Sequence, residues 1–399
     1  MLFVSLCSIE DFESQGIYTD LLKTFRDHGH NVFAIAPREK RTGLPTEFVD
    51  LDDVKVLHVS IGNIQKTNLI EKGVSTLLVK SRFLNAYNTY LADQQFDLII
   101  YATPPTTIAG FIESIKKRTG AKAYLLLKDI FPQNSLDLGM LSKRGVKGLI
   151  YRYFKATEES TYAAADWIGC MSEANRDYLL IHEPQLHPGC VEVNPNSLIP
   201  RDMSDTDATY FKEKYGIPSD RTVFVYGGNL GRPQCVEFLI ELLKLNEQNP
   251  VGFFLIAGSG TDRPKLESYF VETAPINAEL LPNLPRNEYD AMLCACDVGL
   301  IFLDHRFTIP NFPSRALSYM QASLPIATAT DPVCDLGRLA KENGFGICGS
   351  SDNAKAFLEQ CRLLSAEDIR VMGKRSREYF EKNYISERSY QLIARHFHD

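Results

Sequence analysis

Hydrophobic residues in the first third of this chain fall into short apolar runs, and amphipathic segments separate these runs. The runs LFVSL, NVFAIAP, VKVLHV, FDLIIYA and KAYLLLK predict strands, while residues 18–28 and 106–117 have the spacing of covering helices. This alternation is typical of strand–helix–strand units in a parallel sheet. DWIGCMS predicts a further strand, a helix follows from about Glu173, and the two prolines of VEVNPNSLIP mark a linker.

The same alternation starts again after this linker. RTVFVYGGNLG predicts a strand that runs into a glycine loop, VEFLIELLKLN predicts a helix, and GFFLIAGSG, DVGLIFL and LPIATAT predict further strands. Two such blocks predict two doubly wound, Rossmann-like α/β domains, with a ligand cleft at the carboxyl ends of their strands. We place the domains at residues 1–195 and 196–375, and expect the helical segment 376–399 to cross back to the first domain.

Charge is distributed unevenly along the chain. The net charge of the 399 residues is −7, yet residues 55–155 contain 15 lysines and arginines against 6 acidic residues. A basic segment in an acidic protein indicates an anionic partner. Because the sequence shows no recognisable nucleic-acid-binding module, an anionic membrane surface or a lipid pyrophosphate fits this segment better than a nucleic acid.

The sequence lacks the usual signals for export, membrane insertion and metal binding. No apolar run is long enough to span a bilayer, and the N-terminal MLFVSLCSI has no basic flank, so it predicts a buried strand rather than a signal peptide. We therefore expect a cytoplasmic protein. The nine cysteines are scattered, and the close pair Cys294 and Cys296 has no second pair at zinc-ligand spacing, so we expect free thiols and no metal.

One predicted helix begins with a cation at its positive end. In FTIPNFPSRALSYMQASLPI, residues 307–326, Pro313 suits the first helical turn, Asn311 or Ser314 can cap it, and Arg315 follows. A helix N-terminus already carries about half a positive charge, so an arginine there favours a bound anion, for which we take a phosphate. The alternative is an ordinary capped helix with a solvated arginine.

Two glycine-rich loops follow predicted strands in the second half of the chain. The first, YGGNLGRPQ, matches neither a Walker loop nor a dinucleotide fingerprint, so a plain tight turn is the alternative to a ligand-binding loop. The second, AGSGTDR at 257–263, should open on the same edge of the sheet as the helix of Arg315. The first loop contains three glycines, whose backbone N–H groups can approach a ligand closely, and one cation: Gly227, Gly228, Gly231 and Arg232.

The run LLLKDIFPQNS, residues 125–135, ends an apolar strand with Lys128 and Asp129. By topology, charged residues at the carboxyl end of a buried strand lie where ligands bind. An aspartate there could hold or deprotonate a sugar hydroxyl. The alternative is a local ion pair between Asp129 and neighbouring basic residues.

Residues 141–160, LSKRGVKGLIYRYFKATEES, mix basic residues with aromatic and aliphatic ones. This is the composition of a helix that lies on an anionic membrane, although a solvated helix with an aromatic core face uses the same residues. The sequence leaves both interpretations open. The basic residues are Lys143, Arg144, Lys147, Arg152 and Lys155.

Together these motifs resemble those of the GT-B glycosyltransferases of family 4, and among them the bacterial enzymes of capsule and O-antigen assembly, including the N-acetyl-L-fucosamine transferase group. The fold that the resemblance implies is GT-B, two Rossmann-like domains that face a central cleft. The resemblance covers nearly the whole chain. It rests on an ordered set of motifs: GIYTDLL, GNIQKTNLIEKG, YATPPTT, LLLKDIFPQNS, IGCMSEAN, VYGGNLGRPQ, AGSG and IPNFPSRALSYM.

The resemblance implies a retaining transfer of a sugar, such as an N-acetylated amino or deoxy sugar, from a nucleotide-diphosphate donor without a metal or other cofactor. We expect a UDP-sugar as the donor and a lipid-linked (undecaprenyl-diphosphate) saccharide as the acceptor. The C-terminal domain would bind the nucleotide and the N-terminal domain the acceptor. The enzyme would then work as a peripheral protein at the inner face of the plasma membrane.

By the same resemblance, Arg232 and Arg315 would face the diphosphate, and the backbone N–H groups after Pro313 would bind its terminal phosphate. Fixed positive charge would stabilise the leaving group in place of a metal ion. Lys128 and Asp129 would lie on the acceptor side. The expected donor-binding residues are Gly16, Gly228, Asn229, Gly231, Arg232, Gly258, Gly260, Leu284, Pro313, Ser314, Arg315 and Ser318.

The chain departs from the family pattern at two places. Family members usually carry two glutamates eight positions apart around the Arg315 helix, and the second is commonly assigned to the ribose hydroxyls. Here these positions hold Pro310 and Ser318, so ribose recognition lacks its usual residue. The first glycine loop carries Arg232 as its only cation, where the family usually has an arginine and a lysine.

Two other classes of function share this sequence pattern. A sugar-nucleotide epimerase has the same architecture, but it needs acid–base groups on the nucleotide sugar, and His305 is the only histidine near the expected cleft. A non-catalytic subunit of a polysaccharide assembly complex would explain the absent glutamates.

Overall fold

The computed structural model describes residues 1–64, 69–104, 106–204 and 206–397; part of the motif GNIQKTNLIEKG and Pro105 of YATPPTT lie outside them. The chain forms two compact units, Met1–Ile199 with Ser386–Asp399 and Pro200–Ile385. The sequence analysis placed a boundary at residues 375 and 376, whereas the second unit continues to Ile385, because one helix, Ala366–Asn383, runs through that position.

The N-terminal unit is built on an eight-stranded sheet. Its strand order is β3-β4-β2-β1-β5-β6-β7-β8, and every neighbouring pair is parallel except β3 with β4. The order reverses between β1 and β5, and β6 lies next to β5, so the loops after these strands share one edge. The strands are β1 Leu2–Val4, β2 Val32–Glu39, β3 Glu47–Leu51, β4 Val54–Ile61, β5 Leu98–Ala102, β6 Lys122–Leu127, β7 Trp167–Cys170 and β8 Val191–Val193.

Helices cover this sheet, and their apolar faces join the strands in a buried core. Strands β1, β5 and β6 are apolar along almost their whole length, as expected for parallel strands buried on both faces. The helices are α1 Ile17–Asp27, α2 Leu69–Tyr90, α3 Ala109–Thr119, α4 Gln133–Asp137, α5 Gly145–Ala164 and α6 Glu173–His182.

The C-terminal unit is built on a six-stranded parallel sheet of order β11-β10-β9-β12-β13-β14. The order reverses between β9 and β12, so ligands are expected beyond the carboxyl ends of these two strands. The strands are β9 Val223–Asn229, β10 Phe253–Ser259, β11 Ala278–Leu281, β12 Val298–Phe302, β13 Ile326–Thr330 and β14 Gly346–Ser350. The helices are α7 Ala208–Tyr215, α8 Val236–Gln248, α9 Arg263–Thr273, α10 Arg286–Met292, α11 Arg315–Gln321, α12 Leu336–Glu342, α13 Ala354–Arg362 and α14 Ala366–Asn383.

The last helix, α15 Ser386–Ala394, belongs to the N-terminal unit. It packs on α1, where Ser386 Oγ accepts a hydrogen bond from Thr24 Oγ1 at 2.8 Å and the Tyr390 ring stacks on His28 at 3.9 Å. In the described part of the chain, no helix combines the length and hydrophobicity needed to cross a bilayer.

Candidate functional site

The glycines at the ends of β9 and β10 bring backbone and side chains into close contact. A Cβ atom on Gly227 would lie 1.8 Å from Tyr289 Oη, and one on Gly258 would lie 2.0 Å from the carbonyl oxygen of Gly228. Packing therefore requires glycine at positions 227 and 258. Gly228 differs, because it is exposed and has a φ of +109°, which other residues rarely adopt.

Arg315 lies beside this loop. Its guanidinium carbon is 4.6 Å from the centre of the Tyr226 ring and 3.7 Å from the place where a Gly228 side chain would begin. The Nη1 atom is buried and has no hydrogen-bond partner among the described residues. Burying an unused charged donor is costly. The edge of the guanidinium that faces the loop is formed by Nη2 and Nε, 3.7 and 3.9 Å from the place where a Gly228 side chain would begin, so an anion beside Gly228 would accept charge-assisted hydrogen bonds from this edge.

The start of α11 differs from the sequence prediction. Ser314 has helical backbone angles and makes no capping hydrogen bond, and the amide of Asn311 donates to a nearby backbone carbonyl instead. The N–H groups of Ala316 and Leu317 donate to carbonyls of the preceding turn. These two N–H groups are therefore already used, and an anion here would depend mainly on the side chain of Arg315.

Arg232 begins a short 3-10 turn, Arg232–Gln234, directly after Gly231. Asn229 donates from Nδ2 to Gln234 Oε1 at 2.7 Å, which closes this turn. Arg232 is exposed, and among the described residues it has no ion-pair partner that would hold its side chain. The two arginines expected at the diphosphate are thus held differently, because Arg315 is packed on the loop and Arg232 is solvated.

The loop after β10 is tied to the loop after β9. A Cβ atom on Gly260 would lie 2.4 Å from the carbonyl oxygen of Leu230, so this approach also requires glycine. Arg263 donates to the carbonyl oxygens of Gly258 and, at 3.1 Å, Leu281. The contacts of this loop therefore mainly hold the two loops together.

Ser318 is buried in α11, and its Oγ accepts a hydrogen bond from Arg286 Nη2 at 3.3 Å. Arg286 also pairs with Asp290 at 2.9 Å, and 48% of its side chain is exposed. Arg286 also follows the half-buried Leu284 by two residues. Two of the expected donor-binding residues therefore lie close to Arg286, Leu284 in sequence and Ser318 in space. Arg286 is not among the residues expected from the sequence, because its contact with Ser318 joins positions 32 residues apart.

Asp129 follows β6 in the N-terminal unit, and its carboxylate is held by an amide. Asn134 Nδ2 donates to both carboxylate oxygens at 3.1 Å. Burial raises the pKa of Asp129 to about 6, although hydrogen bonds from the Ile130 N–H and from Asn134 oppose the rise. Within the described part of the chain Asp129 makes no ion pair, which contradicts the alternative of a local ion pair.

Lys128 precedes Asp129 and has an equally unusual environment. Burial lowers its pKa to about 7. Thr103 at the end of β5 fixes the backbone here: its Oγ1 accepts from the Lys128 N–H at 3.0 Å and donates to the Asp129 carbonyl at 3.4 Å. A carboxyl and an amine that both titrate near neutral pH are typical of a catalytic or binding site.

Gly16 lies at the N-terminus of α1, in the loop after β1. Its N–H donates to Asp20 Oδ1 at 3.4 Å, and its carbonyl accepts from the Asp20 N–H at 2.8 Å. A Cβ atom on Gly16 would be 2.8 Å from Thr19 Oγ1. Asp20 also accepts from the Ile199 N–H at 2.8 Å, so this loop is tied to the end of the unit.

The first half of α5 has an exposed apolar stripe. Val146, Leu149, Ile150 and Tyr153 have helical spacing and exposures of 75%, 60%, 42% and 44%. Four of the five basic residues predicted for this segment are also exposed, namely Lys143, Arg144, Lys147 and Arg152. The fifth, Lys155, instead pairs with the buried carboxylates of Glu158 and Glu183. We call residues 143–153 with these side chains the α5 surface.

The structure thus assembles two groups of predicted residues, one in each unit. Arg315, Gly228 and Gly258 meet in the C-terminal unit, with Tyr226 and Tyr289 as partners that the sequence analysis did not name. Lys128 and Asp129 stand together in the N-terminal unit. Among the described residues, no group of three or more histidine, cysteine, aspartate or glutamate side chains could hold a metal ion.

Comparison with known proteins bears on the fold and on the class of protein. Residues 207–385, which include both glycine loops and Arg315, match the family model described as glycosyl transferases group 1. Known structures share the fold over nearly the whole chain: sucrose-phosphate synthase from Thermosynechococcus elongatus superimposes with a TM-score of 0.78 at 14% identity, covering 99% of this chain and 98% of that one. Anabaena HepE, crystallised with UDP and glucose, has a TM-score of 0.68 at 13% identity and 99% coverage of both chains. The fold is GT-B.

Two curated proteins are similar in sequence. One is "Probable glycosyltransferase WbjE" of Pseudomonas aeruginosa, 23% identical over 345 residues that span 82% of this chain and 80% of WbjE. The other is WcaI of Escherichia coli K12, a candidate colanic acid biosynthesis glycosyl transferase, 23% identical over 297 residues, or 73% of this chain and 71% of WcaI. These findings support a glycosyltransferase with the GT-B fold.

Proposed function

We propose that this chain is a retaining glycosyltransferase that moves a sugar from a UDP-sugar to a lipid-linked saccharide during synthesis of a bacterial surface polysaccharide. The observation that carries the proposal is Arg315, whose guanidinium Nη2 lies 3.7 Å from the open position at Gly228, while its buried Nη1 has no partner among the described residues. The UDP in the HepE structure and the colanic acid role in the name of WcaI support the donor and the pathway class. The resemblance to N-acetyl-L-fucosamine transferases favours an N-acetylated amino or deoxy sugar.

In the proposed reaction, a hydroxyl oxygen of the acceptor bonds to the anomeric carbon while the bond from that carbon to the diphosphate oxygen breaks. The diphosphate leaves with the negative charge, which Arg315 and Arg232 offset without a metal ion. The acceptor proton moves to a phosphate oxygen on the same face of the sugar, so the new bond keeps the configuration of the old one. Asp129 orients the acceptor hydroxyl.

The test of the donor assignment is thermal stabilisation by nucleotides. We would measure melting of the full chain with UDP, GDP, ADP, dTDP and CMP. At a hundred times its dissociation constant the cognate nucleotide adds about 2.7 kcal/mol to the free energy of unfolding, and Arg315→Ala should abolish most of this gain. Absence of stabilisation by all five nucleotides would contradict the proposal. Transfer of label from a UDP-sugar to a membrane extract distinguishes a transferase from a non-catalytic subunit.

We also propose that the α5 surface docks on anionic lipid at the inner face of the plasma membrane. An exposed apolar stripe flanked by lysines and arginines is suited to lie at the headgroup level. We would replace Lys143, Arg144, Lys147 and Arg152 by Gln and sediment the protein with phosphatidylglycerol vesicles. Each basic residue near such a surface contributes about 1 kcal/mol, so sedimentation should fall strongly, and the parent should lose it in high salt.

The matched control replaces four exposed basic residues of the C-terminal unit by Gln: Arg338, Lys341, Lys355 and Lys374. It changes the net charge equally and should leave sedimentation unchanged. If both variants lose sedimentation equally, the effect comes from net charge alone. If neither variant loses sedimentation, α5 is a solvated helix and the membrane proposal is wrong.

A further inference from the structure

The N-terminal unit contains a cavity that the proposed reaction does not use. It has a volume of about 150 Å³ and lies between the loop after Asp129, α5 and α6. A cavity of about this volume in another protein holds a benzene molecule, so the space matches one six-membered ring without its substituents. The side chains that line it include Pro132, Gln133, Lys143, Tyr151, Tyr178 and His182.

The floor of the cavity is a hydrogen-bonded network in which the partly exposed Lys155 joins two buried carboxylates. Lys155 donates to one oxygen of Glu158, at 2.7 Å, and to one oxygen of Glu183. The remaining carboxylate oxygens accept from Tyr162 Oη at 2.7 Å and from Gln185 Nε2 at 2.6 Å. Every oxygen of the two carboxylates has a donor, so the floor is pre-organised.

The walls combine aromatic faces with polar side chains. The Tyr178 and His182 rings stack with centroids 3.9 Å apart, and the Lys143 ammonium lies 5.8 Å from the centre of the Tyr151 ring. A pyranose ring has the matching character, because its C–H faces pack on aromatic rings and its hydroxyls bond to polar side chains.

The lysines and glutamates that line the cavity have no net formal charge. Lys143 and Lys155 contribute two positive charges, and Glu158 and Glu183 contribute two negative charges. Lys155 pairs with both carboxylates, whereas Lys143 is exposed and has no ion-pair partner among the described residues. A lining without net charge favours a neutral ligand such as a sugar over an ion.

Helix α4 connects the cavity with Asp129. Asn134 holds the carboxylate of Asp129, and its neighbour Gln133 lines the cavity. On the far side, Lys143 lines the cavity and also belongs to the α5 surface. The cavity therefore lies between the proposed acceptor position and the proposed membrane surface of the same unit.

We infer that this cavity is a subsite for a neutral sugar unit of the acceptor, namely the unit next to the one that receives the new sugar. The inference rests on the proposed function, because it takes Asp129 as the acceptor position. An acceptor bound in this way has at least two sugar units, and its lipid diphosphate extends toward the α5 surface. Gln133 and Tyr178 would determine which unit fits.

The experiment uses the methyl glycosides of glucose, galactose, N-acetylglucosamine and N-acetylgalactosamine as probes. Saturation-transfer NMR on the full chain, with UDP present, should detect binding of at least one probe. Gln133→Ala and Tyr178→Ala should each weaken that binding by about tenfold, the order expected for one lost hydrogen bond or stacking contact. Tyr178→Phe keeps the ring and should weaken binding less than Tyr178→Ala, which separates loss of the site from a folding defect.

The controls are Gln95→Ala and Tyr90→Ala, two exposed positions of the same unit that do not line the cavity. They should bind the probes as the parent does. The inference is overturned if no probe binds, or if Gln133→Ala and Tyr178→Ala bind the probes as well as Gln95→Ala and Tyr90→Ala do. Stabilisation by UDP is measured on the same samples: if UDP has no effect, the proposed function fails, whereas stabilisation by UDP without probe binding contradicts the subsite alone.

Discussion

The two candidate regions hold their charge in different ways. In the C-terminal unit the positive charge comes from arginines, which stay protonated at any physiological pH, and Arg315 is fixed by stacking on Tyr226. In the N-terminal unit burial brings the pKa of Lys128 down to about 7 and the pKa of Asp129 up to about 6. Nucleotide binding should therefore depend little on pH, whereas the rate of any step that involves Asp129 or Lys128 should change with pH near neutrality.

The largest effect is expected at Arg315. Arg315→Ala removes a positioned charge that meets the leaving group, so turnover should fall by about a hundredfold, and more than substrate binding is weakened. Arg315→Lys should recover only part of the loss, because lysine cannot reproduce a stacked, forked guanidinium. Steady-state rates of sugar transfer at varied donor concentration measure both quantities.

Two other arginines sharpen this result. Arg232→Ala should lower turnover less than Arg315→Ala, because Arg232 is exposed and its charge is screened by solvent. Arg338→Ala removes an exposed arginine of α12 and should behave as the parent. If Arg315→Ala kept turnover within about threefold of the parent, the assignment of the diphosphate to this loop would be wrong.

The second effect is expected at Asp129, where two variants separate orientation from proton transfer. Asp129→Asn keeps the shape and one acceptor oxygen, so it should retain part of the activity, whereas Asp129→Ala should lose most of it through misplacement of the acceptor. The loss in Asp129→Ala should be on the order of tenfold or more. Rates at saturating donor with varied acceptor decide between the two roles.

The pH profile adds an independent reading. If the ionised carboxylate orients the acceptor, activity of the parent rises as pH increases through about 6, and this rise disappears in Asp129→Asn. Equal and severe loss in both variants would identify Asp129 as a general base instead, since Asn cannot take a proton. Parent-like activity in both would place the acceptor elsewhere.

Most of the fold follows from the sequence, because parallel strands buried on both faces appear as apolar runs that end in loops. Candidate residues at strand ends, such as Asp129, can be found for the same reason. Contacts between elements that are distant in sequence cannot be found in this way. Tyr226, Tyr289 and Arg286 reach the site only because β9, α10 and α11 pack together.

Lys155 shows the same limit. Its place in a basic and aromatic helix left both the membrane and the solvated-helix interpretation open, and its pairing with the buried carboxylate of Glu183, 28 positions later, could not be predicted from the sequence. The predicted cap of α11 was also wrong. Ser314 has helical backbone angles and makes no capping hydrogen bond, and the Asn311 amide donates to a nearby backbone carbonyl instead.

The smallest effect concerns stability, and it again separates the two units. The folded-state pKa of Asp129 lies above its ordinary value of 3.8, so folding is penalised when the carboxyl ionises. The penalty is absent below about pH 4, grows as pH rises toward about 6, and is complete above that value. Asp129→Asn removes it, so the gain in stability of the variant over the parent should grow from pH 4 to about pH 6 and then stay constant, at about 3 kcal/mol or a few degrees in melting temperature.

Asp93→Asn, at an exposed position of the same unit, provides the control and should not show the gain in stability expected of Asp129→Asn. Lys128 predicts the opposite direction: its folded-state pKa is lowered, so its penalty is present below about pH 7 and fades as pH rises toward 10.5. Lys128→Gln should therefore stabilise the protein most below pH 7. The prediction is contradicted if the melting temperatures of Asp129→Asn, Lys128→Gln and the parent change with pH in the same way. The N-terminal site would then be as insensitive to pH as the arginine site.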